Sequence, residues 1–450
     1  MPDRRLLAGA ATSNITPPLG CSLAGSMTDK IGLDVHDELH VRGLVLDNGQ
    51  TRLAFAVCDS CAIGRDLIDR AKHLINSHTG IPMTNILVSA THTHSAPAAA
   101  HLFQSPPDPS YQDWLVVRIS DAVRLALHRA QPARIGWGMG REERLVFNRR
   151  FHMKPGSIPP DPFGRSTDRV QMNPGVGNPN TLEPAGPIDP DVGMLAVETP
   201  DGKPIAVLGN YALHYVGDVG PGHISADYFA AWAQAMNRLA GGQFVAVMTN
   251  ACSGNINAVD VKAKPERLPF YTRIRRAADL LSRECYRVWR DIRFQDWVEL
   301  SASTEDLELG VRLPPEQDIA AARKTLADAP GSGQYKDRTQ IYARETLILN
   351  NSYPKTVQTV VQALRIGSLG IATLPGEAFV ELGMEVKEKS PFKPTFLIEL
   401  ANDYRGYLPT VEGHEQGGYE TWRAKSSYLE KEAAPKLVAS ALRQLGKMNQ

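Results

Sequence analysis

The sequence lacks the features that mark nucleic-acid-binding, membrane-spanning and disulfide-rich proteins. Lys plus Arg and Asp plus Glu each number 49 among 450 residues, so no excess charge points to nucleic acid or to an anionic membrane. No apolar run reaches the roughly 18 residues that a transmembrane helix needs. These absences favour a globular protein whose partner is a small molecule, acting as a monomer or a homo-oligomer.

Cysteine is also scarce, with five residues in the whole chain. An odd, small number in a long chain does not indicate a disulfide framework, and the apolar run near the N-terminus is too short for a signal peptide. We therefore expect a reduced, cytoplasmic setting. Cys58 and Cys61 form a CxxC pair, which without a second pair favours buried thiols over a zinc or redox motif.

What the sequence has is an alternation of strand-like and helix-like segments. Apolar, β-branched runs predict buried strands at 52–57, 85–90, 204–210, 244–250, 369–374 and 395–400. Helical periodicity predicts helices at 65–77, 113–130, 227–239, 271–292 and 316–327. This pattern predicts an α/β protein, a single large catalytic domain over 1–450 in which helices flank one or more largely buried mixed sheets.

Three segments fall outside the alternation. Residues 152–190 are rich in proline and glycine, which predicts an irregular lid or rim over a site. Residues 328–337 predict a surface loop, and residues 425–450 predict a C-terminal amphipathic helix.

Polar residues collect directly after the predicted strands, where ligands bind in open α/β sheets. His92 and His94 follow one strand, His214 follows another, and Glu377 follows a third. In an extended chain the two histidines of THTHS would face the same side, so His92, His214 and Glu377 can form a zinc site. A histidine buried in the core for structural reasons is the alternative interpretation of the HxH pair.

The order of several motifs resembles the neutral ceramidase family, zinc amidases that cleave the N-acyl bond of ceramide. The motifs, which span residues 8 to about 440, are GAATSNITPPLGCSLAG, SATHTHSAP, NYALH, ISADY, TNACSGNIN, LPGEAF and ANDYRGYLPTVEGHEQGGYE. THTHS and the C-terminal pattern of tyrosines are the most specific of them.

The resemblance implies a role for each matching residue. The implied zinc ligands are His92, His214, Glu377 and Tyr407, of which the tyrosine would not have been chosen on chemical grounds alone. The implied catalytic residues are His94, which handles protons, Tyr419, which donates to the scissile carbonyl, and Arg149, for which a surface salt bridge is the alternative. Gly25 is expected at a close backbone approach to substrate.

Two departures from the family bear on the reaction. The family's catalytic serine, in a GDVSPN turn, aligns with Asn255, and Ser253 lies two positions too early to replace it. We also expect no counterpart of the family's C-terminal immunoglobulin-like domain. The predicted nucleophile is therefore a metal-activated water, and Asn255 is predicted to bind the substrate's polar head.

The sequence thus predicts a zinc-dependent hydrolase that cleaves an amide bond of a small, soluble substrate. A zinc-dependent esterase or lactonase, a true ceramidase, and a non-catalytic ligand-binding protein are the alternatives. Manganese or iron would also suit the predicted ligands.

Overall fold

The structure, a computed structural model, describes residues 5–329 and 333–449. Its strands are β1 (Leu6–Asn14), β2 (Ser22–Leu23), β3 (Lys30–Ile31), β4 (Asp34–Val35), β5 (His40–Asp47), β6 (Arg52–Cys58), β7 (Ile86–Ala90), β8 (Gln131–Arg141), β9 (Phe147–Asn148), β10 (Arg150–Met153), β11 (Val170–Met172), β12 (Thr181–Pro184), β13 (Asp191–Glu198), β14 (Pro204–Tyr211), β15 (His223–Ile224), β16 (Val245–Asn250), β17 (Ile256–Asn257), β18 (Leu300–Gly310), β19 (Thr356–Ile366), β20 (Leu369–Thr373), β21 (Glu377–Ala378), β22 (Thr395–Ile398) and β23 (Tyr407–Leu408). Its α-helices are α1 (Arg65–Thr79), α2 (Pro109–His128), α3 (Asp227–Ala240), α4 (Thr272–Asp291), α5 (Glu316–Ala327), α6 (Arg338–Ser352), α7 (Val380–Lys389), α8 (Val411–Gln416) and α9 (Ala433–Met448).

Two sheets carry the architecture. The main sheet has eight strands in the order β16-β14-β13-β8-β1-β5-β6-β7, and the second sheet has four in the order β18-β19-β20-β22. The pairs β14/β16, β6/β7 and β20/β22 are parallel, whereas the other neighbours in these two sheets are antiparallel. The predicted mixed, largely buried α/β sheets are therefore confirmed.

The two sheets pack face to face, with helices on both outer surfaces. In β5, Val41 and Val45 face the layer of α1 and α2, while the alternate residues Leu44 and Leu46 face the second sheet. Helices α3 and α4 cover the other half of the same outer face, and α7 and α9 cover the far side of the second sheet. Strands β6, β7, β14 and β20 are buried on both faces over nearly their whole length, so they appear in the sequence as nearly continuous apolar runs.

The main sheet curls until its two edge strands meet at their carboxyl ends. Nδ2 of Asn250, the last residue of β16, donates to the carbonyl of Thr91, just after β7, at 2.9 Å. The chain after β22 lies between them, because Glu399 N donates to Asn250 O (3.0 Å) and Ala90 N donates to Leu400 O (3.1 Å). The ends of strands from both sheets are thus brought to one place.

Three predictions about segments need correction. Residues 152–190 are not wholly irregular, since β11, β10 and β12 form a small antiparallel sheet there. The C-terminal helix starts at Ala433, because the chain from 425 to 432 turns back and pairs with Gly406 and Val311 instead. The predicted loop at 328–337 lies partly outside the described residues, and α6 follows it with Asp337 as its N-cap.

Two further findings concern the setting of the protein. No helix of the described chain is both long enough and apolar enough to cross a membrane. All five cysteines are free thiols, in agreement with the absence of a predicted disulfide framework.

Candidate metal centre

His92, His214 and Glu377 come together at the strand ends, as the sequence predicts. His92 Nε2 lies 3.0 Å from His214 Nε2 and 3.3 Å from Glu377 Oε2. His214 Nε2 lies 3.7 Å from the same carboxylate oxygen. All three side chains are buried. Separations of this size are those expected of ligands about 2.0–2.2 Å from one shared zinc ion.

The backbone around the two histidines fixes which ring nitrogen faces the centre. His92 Nδ1 lies 2.7 Å from the carbonyl oxygen of Cys61, and His214 Nδ1 lies 3.1 Å from that of Ser253. A carbonyl only accepts, so each Nδ1 is a donor and each neutral ring presents the lone pair of its Nε2 to the centre. Metal-binding histidines are held by outer hydrogen bonds of this kind.

Glu377 points one oxygen at the histidines and has the other oxygen fixed. Its Oε1 accepts a hydrogen bond from the Tyr404 hydroxyl at 2.8 Å. Its buried Oε2, the atom that faces the histidines, has no hydrogen-bond partner. Two lone pairs and an unpaired carboxylate oxygen at one point form a donor set that suits a divalent cation.

The charges of these groups are strongly coupled. Burial disfavours the charged form of His92, yet the adjacent Glu377 carboxylate raises the pKa of this histidine well above its usual range. Burial and the neighbouring His92 lower the pKa of His214 well below its usual range. The Glu377 carboxylate therefore favours a protonated His92 when no metal is bound, and binding of a cation would release that proton.

Tyr407 lies beside this group, next to a buried arginine. Strand β23 pairs with β21 so that Tyr407 is the register partner of Glu377. The Arg149 guanidinium carbon lies 5.4 Å from the centre of the Tyr407 ring. Burial raises the pKa of the Tyr407 phenol, and the positive charge of Arg149 acts in the opposite direction. The Arg149 charge favours the phenolate form of Tyr407, which is the form that can bind a metal. This gives a physical reason for a tyrosine ligand, a residue type that we would not choose on chemical grounds alone.

Arg149 is buried, so the surface salt bridge considered for it is wrong. Its Nε donates to Glu420 Oε1 at 2.9 Å, and Glu420 is completely buried. Its Nη2 is buried without a hydrogen-bond partner. The guanidinium therefore lies over the Tyr407 ring and has one nitrogen without a hydrogen-bond partner.

His94 stands next to the metal group with its ring clamped on two sides. Its Nε2 lies 3.1 Å from His92 Nε2, and its ring stacks on Tyr215 at 3.6 Å between centroids. Gly25 has φ of +99°, and a Cβ built there would lie 2.3 Å from His94 Cγ. The glycine thus makes room for the His94 ring. Burial, together with the charge of His92, lowers the pKa of His94 well below its usual range, which favours the neutral ring.

One detail of the THTHS prediction is wrong. The chain there is not extended, since His92 has φ of +70°. His92 and His94 nevertheless converge, because this turn directs both rings to the same centre.

Asn255 does not occupy the position predicted for it. Its Oδ1 accepts from the backbone N–H of Val380 at 2.8 Å, and its Nδ2 donates to Glu381 Oε2 at 2.8 Å. With 1% exposure and both ends of its amide bonded, it holds the first turn of α7 and is not among the described residues that line the metal chamber or the open cleft. Ser253 is buried as well, with its hydroxyl bonded to Glu399, in agreement with the expectation that it does not replace the missing serine.

Two adjoining cavities give access to the centre. A chamber of about 40 Å³, which we call the metal chamber, is lined by His92, His94, Glu377, Tyr407 and Tyr419, among others. A cleft of about 720 Å³, the open cleft, shares Gly25, Ser26 and His94 with it. None of the described lining residues of either cavity comes from 152–190, the predicted lid.

Sequence reasoning missed three residues of the site. They are Tyr404, which fixes Glu377, Tyr215, which stacks on His94, and Cys61, whose thiol lines the metal chamber beside His92. Tyr404 stands three residues before Tyr407 in NDYRGY, so the motif itself carried the signal.

Comparison with solved structures shows the same fold in ceramidase structures, two of which are described below. The chain superposes on neutral ceramidase from Pseudomonas aeruginosa with a TM-score of 0.73 and 17% identity, covering 99% of this chain and 75% of that one. A structure described as ceramidase complexed with C2 gives a TM-score of 0.74 and 15% identity, covering 99% and 76%. No protein-family model and no curated protein sequence matches the chain. The predicted resemblance to neutral ceramidases is therefore confirmed at the level of the fold.

Proposed function

We propose that this protein is a zinc-dependent hydrolase that cleaves an amide bond of a small, soluble N-acyl substrate. One observation carries the proposal. His92 Nε2, His214 Nε2 and the unpartnered Glu377 Oε2 lie within hydrogen-bond distance of one another or slightly farther apart. In this proposal Tyr407 completes the set of ligands. The fold shared with two ceramidases makes an N-acyl bond the first choice of substrate bond.

The proposed chemistry is addition of water to the amide carbonyl. A zinc ion held by these residues would polarise that carbonyl and lower the pKa of a water from 15.7 to about 7. In this proposal His94, whose Nε2 lies 3.1 Å from His92 Nε2, is the group placed to accept the proton of the attacking water.

Two further residues stabilise the charge that develops on the carbonyl oxygen. The hydroxyl of Tyr419 stays protonated because burial raises its pKa, so it donates to that oxygen. The Arg149 guanidinium, which lies over the Tyr407 ring, adds positive charge. Each such donor is worth roughly 100-fold in rate.

The absence of a nucleophilic serine at Asn255 supports attack by water in place of an acyl-enzyme route. Asn255 is committed to α7 through both ends of its amide. The Ser253 hydroxyl is bonded to Glu399, and Ser253 is not among the described residues that line the metal chamber.

The test is metal content combined with turnover. Purified wild-type protein is expected to hold about one zinc per chain and to hydrolyse N-acyl amides. Replacement of His92 with alanine should abolish both, whereas His73→Ala, an exposed histidine of α1, should change neither. Protein expressed in zinc-supplemented medium that holds no metal by elemental analysis, or a His92→Ala variant with full activity, would overturn the proposal.

A matched pair of substrates separates the proposed amidase from an esterase or lactonase. The two substrates carry the same acyl group on the same carbon skeleton, through nitrogen in the amide and through oxygen in the ester. If only the ester is hydrolysed, the proposed reaction changes from amide to ester hydrolysis, and the proposed metal site is unaffected.

A further inference from the structure

We infer that the protein selects short, apolar acyl groups through a third cavity on the far side of Tyr419. This acyl pocket has a volume of about 130 Å³ and includes Met27, Ile158, Val170, Met172 and Trp422 in its lining. The inference rests on the proposed amidase function and names the class of acyl group that the site accepts.

The first argument is the position of Tyr419. Its side chain lines both the metal chamber and the acyl pocket. Ser26 lines the metal chamber and its neighbour Met27 lines the acyl pocket, so consecutive residues of the chain line the two cavities as well. If Tyr419 donates to the scissile carbonyl, the acyl carbons attached to that carbonyl lie next to Tyr419, at the acyl pocket that this residue also lines.

The second argument is the chemistry of the walls. Two methionines, an isoleucine, a valine, a proline and two aromatic residues line the pocket, and its polar lining residues are Gln171, Asp168 and Arg338. The two charged groups at its rim are already engaged: Asp168 Oδ2 accepts from Trp422 Nε1 at 2.8 Å, and the Arg338 guanidinium lies 4.9 Å above the Trp422 ring. An apolar group therefore fits this pocket better than a charged one.

The third argument is size. A volume of 130 Å³ holds about four water-sized groups, which corresponds to an acyl chain of roughly four to six carbons. The open cleft, at about 720 Å³, lies on the His94 side and leaves more room for the amine part of the substrate. The long acyl chain of a ceramide exceeds the acyl pocket several times over.

This arrangement also gives the Pro/Gly-rich segment a role that differs from the predicted lid. Ile158, Val170 and Met172 come from 152–190, and they line the acyl pocket together with Trp422. The segment is held there by the backbone pairing of β10 with β11. Its contribution is to the selection of the acyl group.

The experiment measures kcat/KM for one amine carrying acyl groups from acetyl to dodecanoyl. We expect a rise of about fourfold per methylene up to roughly hexanoyl, because each buried methylene adds to binding in the pocket, and then a plateau or a fall. Met172→Trp should fill the pocket and shift the optimum toward acetyl. Ile158→Ala should enlarge it and shift the optimum toward longer chains.

Controls keep the outcomes distinct. Leu182→Ala changes an exposed residue of β12 in the same segment, outside the described lining of the pocket, and should leave the profile unchanged. Thermal unfolding checks that each variant is folded, and calorimetric binding of hexanamide gives a readout that does not require turnover. Hydrolysis that is equal for all chain lengths, or best for dodecanoyl, overturns the inference while the amidase proposal stands. Hydrolysis of no amide at any length overturns the proposed function itself.

Discussion

The hydroxyl of Tyr404 offers a test of the metal centre that leaves all proposed ligands in place. It donates to Glu377 Oε1 at 2.8 Å, and burial raises the pKa of this phenol well above its usual range, so it remains a donor at neutral pH. Tyr404→Phe removes that oxygen and keeps the ring. The carboxylate of Glu377 is then buried with an unpaired Oε1 and is free to turn away from the histidines.

Two effects of different size follow. A hydrogen bond to a charged group contributes about 1.5–3 kcal/mol, and it is present with or without metal, so the metal-free variant should lose about that much unfolding free energy. Zinc affinity falls by a different amount, because only the effect of this hydrogen bond on the orientation of the carboxylate differs between the metal-free and the metal-bound protein. Loss of such an outer hydrogen bond typically lowers metal affinity about 10- to 100-fold.

The assay is a competition titration with a chelator of known zinc affinity, run beside urea unfolding of the metal-free proteins. Tyr286→Phe makes the same chemical change on the half-buried surface of α4 and should match the wild type in both measurements. A Tyr404→Phe protein that binds zinc within about twofold of the wild type would refute the view that Glu377 Oε2 is a ligand held in place through Oε1.

Three more changes probe the surroundings of the centre. Burial raises the pKa of Glu399 to about 8, so the stability that its neutral form provides is full below pH 4.5 and is lost as pH rises toward 8. In urea unfolding of the metal-free protein, this loss should reach at most about 1.4 kcal/mol per pH unit. Glu399→Gln should remove it. Gly25→Ala should displace the His94 ring and lower kcat roughly 100-fold with zinc content unchanged. Glu420→Gln removes the carboxylate that both buried arginines, Arg149 and Arg150, share and should cost about 3–5 kcal/mol of unfolding free energy.

The sequence predicts the strand ends of this fold better than its overall curvature. Apolar runs locate β6, β7, β14, β16, β20 and β22 to within two residues at either end, because strands buried on both faces are apolar throughout. The polar residues that follow them then identify His92, His214 and Glu377. That strands from opposite edges of the main sheet meet depends on sheet twist and packing, which no local pattern contains.

The errors at single residues have a common physical cause. Asn255 aligns with a catalytic serine, but a buried amide close to the start of a helix satisfies the free N–H of Val380 instead. The local sequence around Arg149 allowed a surface ion pair, because the partner that makes its burial possible, Glu420, is 271 positions away. Hydrogen-bond partners that are distant in sequence decide such roles, and motif spacing does not reveal them.

Backbone strain at the centre indicates that its geometry is imposed by the fold. His92, Leu400 and Asn402 adopt positive φ values of 70°, 54° and 63°, conformations that cost about 1–3 kcal/mol for residues other than glycine. All three lie where the chain after β22 bonds to β7: Ala90 N donates to Leu400 O, and Asn402 N donates to Val88 O. The two sheets thus hold His92 in a turn that the free peptide would not favour. A ring fixed before any ligand arrives pays little conformational entropy on binding, so the strained turn favours a preformed centre over one assembled by the metal.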